Sequence, residues 1–177
     1  SYLRGGKSKG ALLGMRADMD ALPVQEETGL PFASEVPGVM HACGHDSHLA
    51  MLLVAARVLT ELREELPVDI LFIFQPAEEE IRNSGAERMK DHPLVRRCDR
   101  LIGLHIWGDM EAGTATLQSG PVMAASDTFR VEIRGRGGHG AAPQRAIDPI
   151  PAGCLFVEEL QRALAREFDP QTAALLG

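Results

Sequence analysis

The sequence predicts an α/β fold, with a sheet covered by helices on both faces, followed by the start of a smaller α+β domain. In the first part of the chain, apolar runs rich in β-forming residues alternate with helical patterns, which is typical of a sheet with crossover helices. Charged residues directly follow two of these runs, where open α/β sheets place their functional sites. Towards the C-terminus, a strand pattern with one polar face is typical of an antiparallel sheet.

Composition and charge exclude several classes of protein. The chain has 177 residues, 45% apolar and 24% charged, as in a soluble globular protein of one domain, or of one and part of a second. Its net charge of −7 argues against nucleic acid or a membrane surface as a partner. No apolar run approaches the ~20 residues that span a bilayer. Three cysteines predict no disulfide framework, and no signal segment opens the chain, so we expect a cytoplasmic protein.

The first predicted elements are a strand, a long loop and a helix. The apolar run Ala11–Ala17 predicts a buried strand with Asp18 and Asp20 on one face at its C-terminal end; a solvated strand end is the alternative. Residues 23–46 contain repeated proline and glycine, which predicts an irregular loop of the kind that is usually functional. From Ser47, the expected N-cap, leucines recur at helical spacing, and the apolar first half of this helix predicts deep burial.

Shorter elements follow in the middle of the chain. Val68–Phe74 is nearly all apolar, as expected of a strand covered on both faces. A short helix is predicted around Ser84–Lys90. Arg100–Ile106 predicts a further strand that buries His105, and Gly113–Gln118 predicts another.

The character of the sequence changes after residue 120. Thr128–Arg134 alternates apolar and charged side chains, which predicts a strand with one wet face. A glycine-rich turn with His139 follows, and Asp148–Arg166 predicts a helix that begins at prolines. We therefore predict two domains, residues 1–122 and 123–177.

The segment His41–His48 combines a thiol, three imidazoles and a carboxylate directly before the long helix. Cys43 and His45 are two positions apart, and thiolate and imidazole are ligands of zinc and neighbouring transition metals. Gln75–Glu79 and Gly103–His105 contain further donors. Our hypothesis is that these three segments converge on a metal site.

Each further donor also has an ordinary structural interpretation. A lone histidine such as His105 in an apolar run is more often a core residue than a ligand. Glu78 and Glu79 form a plain acidic turn in the simpler interpretation. Because adjacent side chains point in different directions, however, one of them can bind a metal while the other acts as a general base. His41 and His48 either support the ligands or are polar loop groups.

Five ordered segments resemble the amidohydrolase branch of the aminoacylase/carboxypeptidase-like metallopeptidases. They are Arg16–Pro23, His41–Asp46, Gln75–Glu79, Gly103–His105 and Gly137–Pro143. The branch includes hippurate hydrolases, indole-acetyl-amino-acid hydrolases and N-acyl-amino-acid amidohydrolases. The resemblance covers nearly the whole chain and implies a metallopeptidase-like catalytic sheet in residues 1–122, with a satellite or dimerisation domain in residues 123–177.

The resemblance also implies a role for each site residue. The implied metal ligands are Cys43, His45, Glu79 and His105. Glu78 is implied as the general base that activates water, and Asp20 as a group that orients a ligand histidine. His139 matches a histidine that polarises the substrate carbonyl. Relatives in other branches have a histidine at the position of Asp18, which favours N-acyl amide hydrolysis here over dipeptide cleavage.

The implied cofactor is a divalent metal, in a two-metal site that holds zinc or manganese, with cobalt or nickel as further candidates. The implied substrate is a small-molecule N-acyl amino acid, and the implied partner is a second copy bound through the satellite domain. Family members are much longer, so we expect a fragment of a hydrolase that lacks the last ligand histidine, since residues 144–177 contain none. The alternative is a catalytically inactive metal-binding or dimerisation module. We expect the chain alone to self-associate and to show no hydrolysis.

Overall fold

A computed structural model of the chain describes residues 1–80, 82–120, 122–123 and 127–167. The chain divides into two compact units, Ser1–Ala112 and Gly113–Gly177. This division lies N-terminal to the boundary predicted after residue 122. Across the described ranges, no helix is both long and apolar enough to cross a membrane.

The described part of the first unit contains a four-stranded sheet in the order β1-β3-β2-β4. Its strands are β1 Tyr2–Leu3, β2 Leu12–Asp18, β3 Asp69–Gln75 and β4 Arg100–Gly103. β2 pairs in parallel with β3 and with β4, whereas β1 is antiparallel to β3. The register places Asp18 opposite Gln75. The C-terminal ends of the two central strands therefore meet at the same end of the sheet.

Helices cover both faces of this sheet, as predicted. They are α1 His45–Glu61, α2 Gly85–Met89 and α3 Pro93–Arg96, with a 3₁₀ turn Arg63–Glu65 after α1. On one face, Leu52 of α1 belongs to a buried cluster with Ile70 and Phe72. On the other face, Met89 and Leu94 pack against a second cluster that contains Leu71. The short helix predicted around residues 84–90 is confirmed as α2, and the Ser84 hydroxyl caps it by accepting from Ala86 N.

Helix α1 differs from its prediction in two ways. It begins at His45 and not at Ser47, because Gly44 adopts the left-handed conformation (φ 81°) and turns the chain directly into the helix. The deep burial predicted for its apolar first half is wrong. Among its residues only His45, His48 and Leu52 are buried, and Val54 is 63% exposed. The reason is that the described residues pack against one side of α1, the side that faces the sheet.

Three strand predictions are also corrected. β4 ends at Gly103, and His105 is exposed rather than buried, because β4 lies at the edge of the described sheet and pairs there with β2. Residues Gly113–Gln118 and Thr128–Arg134 do not form strands. A strand needs a hydrogen-bonded neighbour, and for the described residues of the second unit the pairing is the isolated bridge between Arg136 and Ile147.

The described residues of the second unit are largely irregular before residue 143. Its helix α4 spans Pro149–Glu167, which confirms the helix predicted over residues 148–166. A 3₁₀ turn, Pro143–Arg145, precedes it.

Candidate metal centre

The predicted metal-binding side chains of the first unit lie together where β2 and β3 end and α1 begins. Possible ligand atoms of Cys43, His45 and His105 are all within 4.8 Å of one another, and the same is true of His45, Glu78 and Glu79. His45 belongs to both groups. The structure therefore brings the three segments of the sequence hypothesis to one place.

His45 occupies the centre of this cluster and is almost completely buried. Its Nδ1 lies 3.0 Å from the backbone oxygen of Asp20, so this nitrogen carries the proton and donates it to that carbonyl. Its Nε2 is buried and has no hydrogen-bond partner among the described residues. This nitrogen lies 3.8 Å from Oε2 of Glu78 and 3.8 Å from Oε1 of Glu79.

An unpartnered nitrogen lone pair among carboxylates fits a bound cation. Two ligand atoms that are each about 2.0–2.3 Å from one ion lie about 3–4 Å apart, and the distances from Nε2 of His45 to the two carboxylates fall in that range. Without a cation, a buried imidazole nitrogen that makes no hydrogen bond would carry a desolvation cost. The residues present therefore fit a divalent metal ion.

Cys43 and His105 are the further possible donors beside His45. The sulfur of Cys43 lies 3.4 Å from Nε2 of His105. Nδ1 of His105 bonds to the backbone oxygen of Ile106, which leaves Nε2 as the nitrogen with the free lone pair. Both histidines are thus oriented by backbone carbonyls and present the same ring nitrogen to the site.

The electrostatics of Cys43 also favour a cation. Burial, a contact with Glu79 and the negative charges of Glu79, Glu78 and Asp18 raise the pKa of Cys43 to about 11. The thiol therefore keeps its proton at neutral pH in this acidic surrounding, and a metal ion has to displace that proton for the thiolate to become a ligand.

Asp20 contacts both His45 and the backbone of the glutamate pair. Its carboxylate Oδ2 accepts a hydrogen bond from the backbone nitrogen of Glu79 at 3.0 Å. Burial works to raise the pKa of Asp20, but the amides of Glu79 and Glu78 outweigh it and hold that pKa below its ordinary value. The bond that orients His45 comes from the Asp20 carbonyl, while Oδ1 lies 3.3 Å from the same nitrogen without hydrogen-bonding geometry. Asp20 therefore positions both a histidine and the glutamate pair.

The glutamate pair depends on a turn that the sequence analysis missed. Ala77 has a left-handed backbone (φ 51°), which is uncommon for a residue with a side chain. The Gly85 nitrogen donates to the Ala77 oxygen at 3.1 Å. A Cβ atom at Gly85 would lie 1.8 Å from the Pro76 oxygen, so α2 approaches the turn as closely as it does because residue 85 is glycine.

A buried pair, Asp18 and His48, is the second feature that the sequence analysis underestimated. Nδ1 of His48 donates to Oδ1 of Asp18 at 2.6 Å, and Nη1 of Arg16 lies 2.6 Å from Oδ2. Burial works to raise the pKa of Asp18, but the His48 hydrogen bond and the charge of Arg16 outweigh it, so this pKa is lowered. Their atoms lie close enough to His45 for metal binding, yet these partners already occupy them. The signal in the sequence was the three-residue spacing of His45 and His48, which places both histidines on the same face of α1.

His139 belongs to the second unit, in an exposed turn. Its Nδ1 accepts a hydrogen bond from the Ala141 nitrogen at 3.2 Å. The proton of a neutral His139 therefore resides on Nε2, which is a hydrogen-bond donor.

Residues 14–172 match the model of peptidase family M20/M25/M40. An N-acyl-L-amino acid amidohydrolase of Geobacillus stearothermophilus is 47% identical over 172 residues, which cover 97% of this chain and 46% of that protein. Thermostable carboxypeptidase 1 of Saccharolobus solfataricus is 43% identical over 93% of this chain and 42% of its own length. The crystal structure of the Bacillus subtilis YXEP protein, described as a dinuclear metal binding peptidase from the M20 family, superposes with a TM-score of 0.63 at 42% identity, over 68% of this chain and 33% of that one. The chain spans less than half the length of these relatives.

Proposed function

This chain belongs to peptidase family M20/M25/M40, and we propose that it forms the metal-binding part of an amide hydrolase that removes the acyl group from N-acyl amino acids. The observation that carries the proposal is the buried Nε2 of His45, which has no hydrogen-bond partner in the described structure and lies 3.8 Å from both Glu78 and Glu79.

The metal is held by four side chains in this proposal: Cys43, His45, Glu79 and His105. One thiolate, two imidazoles and one carboxylate suit zinc or manganese, with cobalt or nickel as further candidates. A related protein described as a dinuclear metal binding peptidase supports a two-metal site. A divalent ion bound there supplies a Lewis acid and lowers the pKa of a water enough for attack on an amide.

Glu78 is the general base of this proposal. Its side chain is 40% exposed, whereas that of His45 is 1% exposed, so Glu78 is accessible to a substrate while His45 is covered. Because the adjacent Glu79 is engaged in the ligand set, Glu78 is available to take a proton from the attacking water and return it to the leaving amine. In the complete enzyme of this proposal, His139 polarises the substrate carbonyl by donating a hydrogen bond from Nε2–H. The hydrogen bond that its Nδ1 accepts from the Ala141 nitrogen supports this role, because it keeps the proton of a neutral His139 on Nε2.

The names of the relatives and the residue at position 18 bear on the substrate class. The amidohydrolase from Geobacillus is named for N-acyl-L-amino acids, whereas the Saccharolobus relative is named a carboxypeptidase. By the resemblance, relatives in other branches have a histidine at the position of Asp18, and the two oxygens of Asp18 here bond to His48 and Arg16. This arrangement supports N-acyl amino acids. Cytoplasmic location and homodimer formation through the second domain stay predictions.

The test has two stages. First, the 177-residue chain is stripped with a chelator, and its affinity for Zn²⁺ and Mn²⁺ is measured by calorimetry. We expect binding that Cys43→Ala weakens strongly and that Cys154→Ala, at an exposed cysteine of α4, leaves unchanged. Equal affinity in both variants would contradict the metal centre.

Second, the chain is joined to the remaining C-terminal sequence of the Geobacillus relative, and the hybrid is assayed with N-acetyl amino acids and with dipeptides. We expect metal-dependent hydrolysis of the N-acetyl substrates. Cleavage of dipeptides alone would overturn the substrate class. A hybrid that binds metal and hydrolyses neither would favour an inactive metal-binding module.

A further inference from the structure

The position of His105 is not set by the sheet. β4 ends at Gly103, and His105 lies beyond it with an exposed side chain. A residue outside the strand ladder can place a ligand accurately only if another contact fixes its backbone. That contact is the nitrogen of Ile106, which donates to Nε2 of His48 at 2.9 Å.

His48 is itself fixed from the opposite side. It is 2% exposed, and its other ring nitrogen donates to Asp18 at 2.6 Å. Asp18 is paired with Arg16 at 2.6 Å, and Nε of Arg16 donates to Gln75 at 2.9 Å. A continuous chain of polar contacts therefore runs from β3 through β2 and α1 to the residue that follows His105.

Packing reinforces this connection. A Cβ atom at Gly44 would lie 2.2 Å from Cδ1 of Ile106, so the Ile106 side chain lies directly on the turn between Cys43 and His45. The rings of His48 and His105 meet edge to face, with centroids 4.7 Å apart. These contacts join the segment after β4 to the N-terminus of α1.

We propose that His48 is a positioning residue, which sets the location of His105 relative to Cys43 and His45 in the metal centre. This inference rests on the proposed metal centre. His48 is not a ligand itself, because both of its ring nitrogens are engaged, one by Asp18 and the other by the Ile106 amide. Its two hydrogen bonds connect Asp18 at the end of β2 to the backbone next to His105, which lies beyond the end of β4.

Two isosteric variants separate the two hydrogen bonds. Glutamine can place an oxygen near the position of Nε2 and so can accept from the Ile106 amide. Asparagine places an amide nitrogen near the position of Nδ1, keeps the bond to Asp18 and leaves the Ile106 amide without an acceptor. His92→Asn is the control, because exposed His92 caps α3 and asparagine is a good N-cap.

Affinity for Co²⁺ and the visible spectrum of the Co²⁺-loaded chain are measured for each variant, with urea unfolding of the metal-free chains. We expect His48→Asn to lower the affinity about 10–100-fold, as loss of an orienting contact does, and to change the spectrum in the same direction as His105→Ala. His48→Gln should retain most of the affinity and the wild-type spectrum. Equal losses in both His48 variants, or no loss in either, would overturn the inference while leaving the metal centre intact. Absence of Co²⁺ binding by the unmodified chain would instead reject the proposed function.

Hydrogen exchange at the Ile106 amide provides a measurement that requires no variant. The amide lies outside the strands and helices, so protection from exchange is expected only if the bond to His48 persists in solution. Exchange at the rate of an open loop would contradict the positioning role.

Discussion

The sulfur of Cys43 and Nε2 of His105 lie 3.4 Å apart although 62 positions separate the two residues in the chain. Parallel pairing of β2 and β4, which sets Arg16 opposite Gly103, brings the segment after β4 to the end of the sheet where α1 begins. The pairing order of the strands therefore brings these donors together.

The glutamate pair should separate metal binding from catalysis. Glu79→Gln should weaken metal affinity by at least about 10–100-fold, the loss typical of a group that only orients a ligand. Glu78→Gln should keep the metal but lower the turnover of the hybrid enzyme ~10²–10⁴-fold, because a general base is removed. Calorimetry and steady-state kinetics measure the two effects, and exposed Glu80→Gln is the control. Near-normal turnover of Glu78→Gln with metal bound would show that the base is another residue.

The close approach of α2 to the Pro76–Glu79 turn should make Gly85 sensitive to substitution. Gly85→Ala places a Cβ atom 1.8 Å from the Pro76 oxygen, so we expect the free energy of unfolding to fall by about 1–3 kcal/mol, as for other overpacked sites. Metal affinity should fall as well, because the turn carries both glutamates. Gly108→Ala is the matched control, since nothing lies within 4 Å of the corresponding Cβ position. If urea unfolding gave the same free energy of unfolding for the two variants, the result would contradict this packing.

Leu52 should account for much of the attachment of α1 to the sheet. It is 6% exposed and lies in the core cluster with Ile70 and Phe72. Leu52→Ala should lower the free energy of unfolding by about 2–5 kcal/mol, since it removes buried methyl groups and leaves a cavity. Val54 on the same helix is 63% exposed, and Val54→Ala should stay within about 0.5 kcal/mol of the unmodified chain. A larger loss at Val54 than at Leu52, measured by urea unfolding, would reverse the assigned orientation of the helix.

Asp69 lies at the end of β3 opposite the candidate metal centre. It should make the free energy of unfolding depend on pH. The Tyr2 hydroxyl donates to its carboxylate, and the Gly5 nitrogen donates at 3.1 Å. The Tyr2 hydrogen bond, with smaller contributions from Ser8, Gly5 and Arg4, lowers the pKa of Asp69 from its ordinary value of 3.8. Because the pKa of Asp69 is lower in the folded state, the ionised carboxylate stabilises the fold at pH values above the ordinary pKa. This stabilisation is lost as the pH falls through the folded-state pKa.

Asp69→Asn should therefore be less stable than the unmodified chain at pH 7, and the difference should shrink once the pH falls below about 3.8. Urea unfolding at pH 7 and pH 3 measures it. Exposed Glu35→Gln, in the long loop, should change stability little at either pH. A difference for Asp69→Asn that grows towards acid pH would have the wrong sign for this explanation.

Donor chemistry and its order along the chain could be predicted from the sequence, because they depend on residue type and local spacing. Cys43 and His45 stand two positions apart, and a thiolate with an imidazole selects transition metals wherever the segment lies. The strands before Asp18 and Glu78, and the helix after His45, were predictable for a similar reason. Their apolar patterns are local, and for the two strands the pattern agrees with the burial that the sheet provides.

Tertiary structure alone decided which atoms face the site and what holds them there. The Asp20 and Ile106 carbonyls select Nε2 of both His45 and His105, and no spacing rule contains that choice. His48 differs from a ligand histidine only because Asp18 and the Ile106 amide occupy its two nitrogens. The contacts of His45 with Asp20, and of His48 with Asp18 and Ile106, join residues that are 25, 30 and 58 positions apart, so they exist only after the strands have paired. The contact of His105 with the Ile106 carbonyl is between neighbours in the chain. Local sequence specifies the donors, whereas long-range hydrogen bonds and close packing specify their geometry.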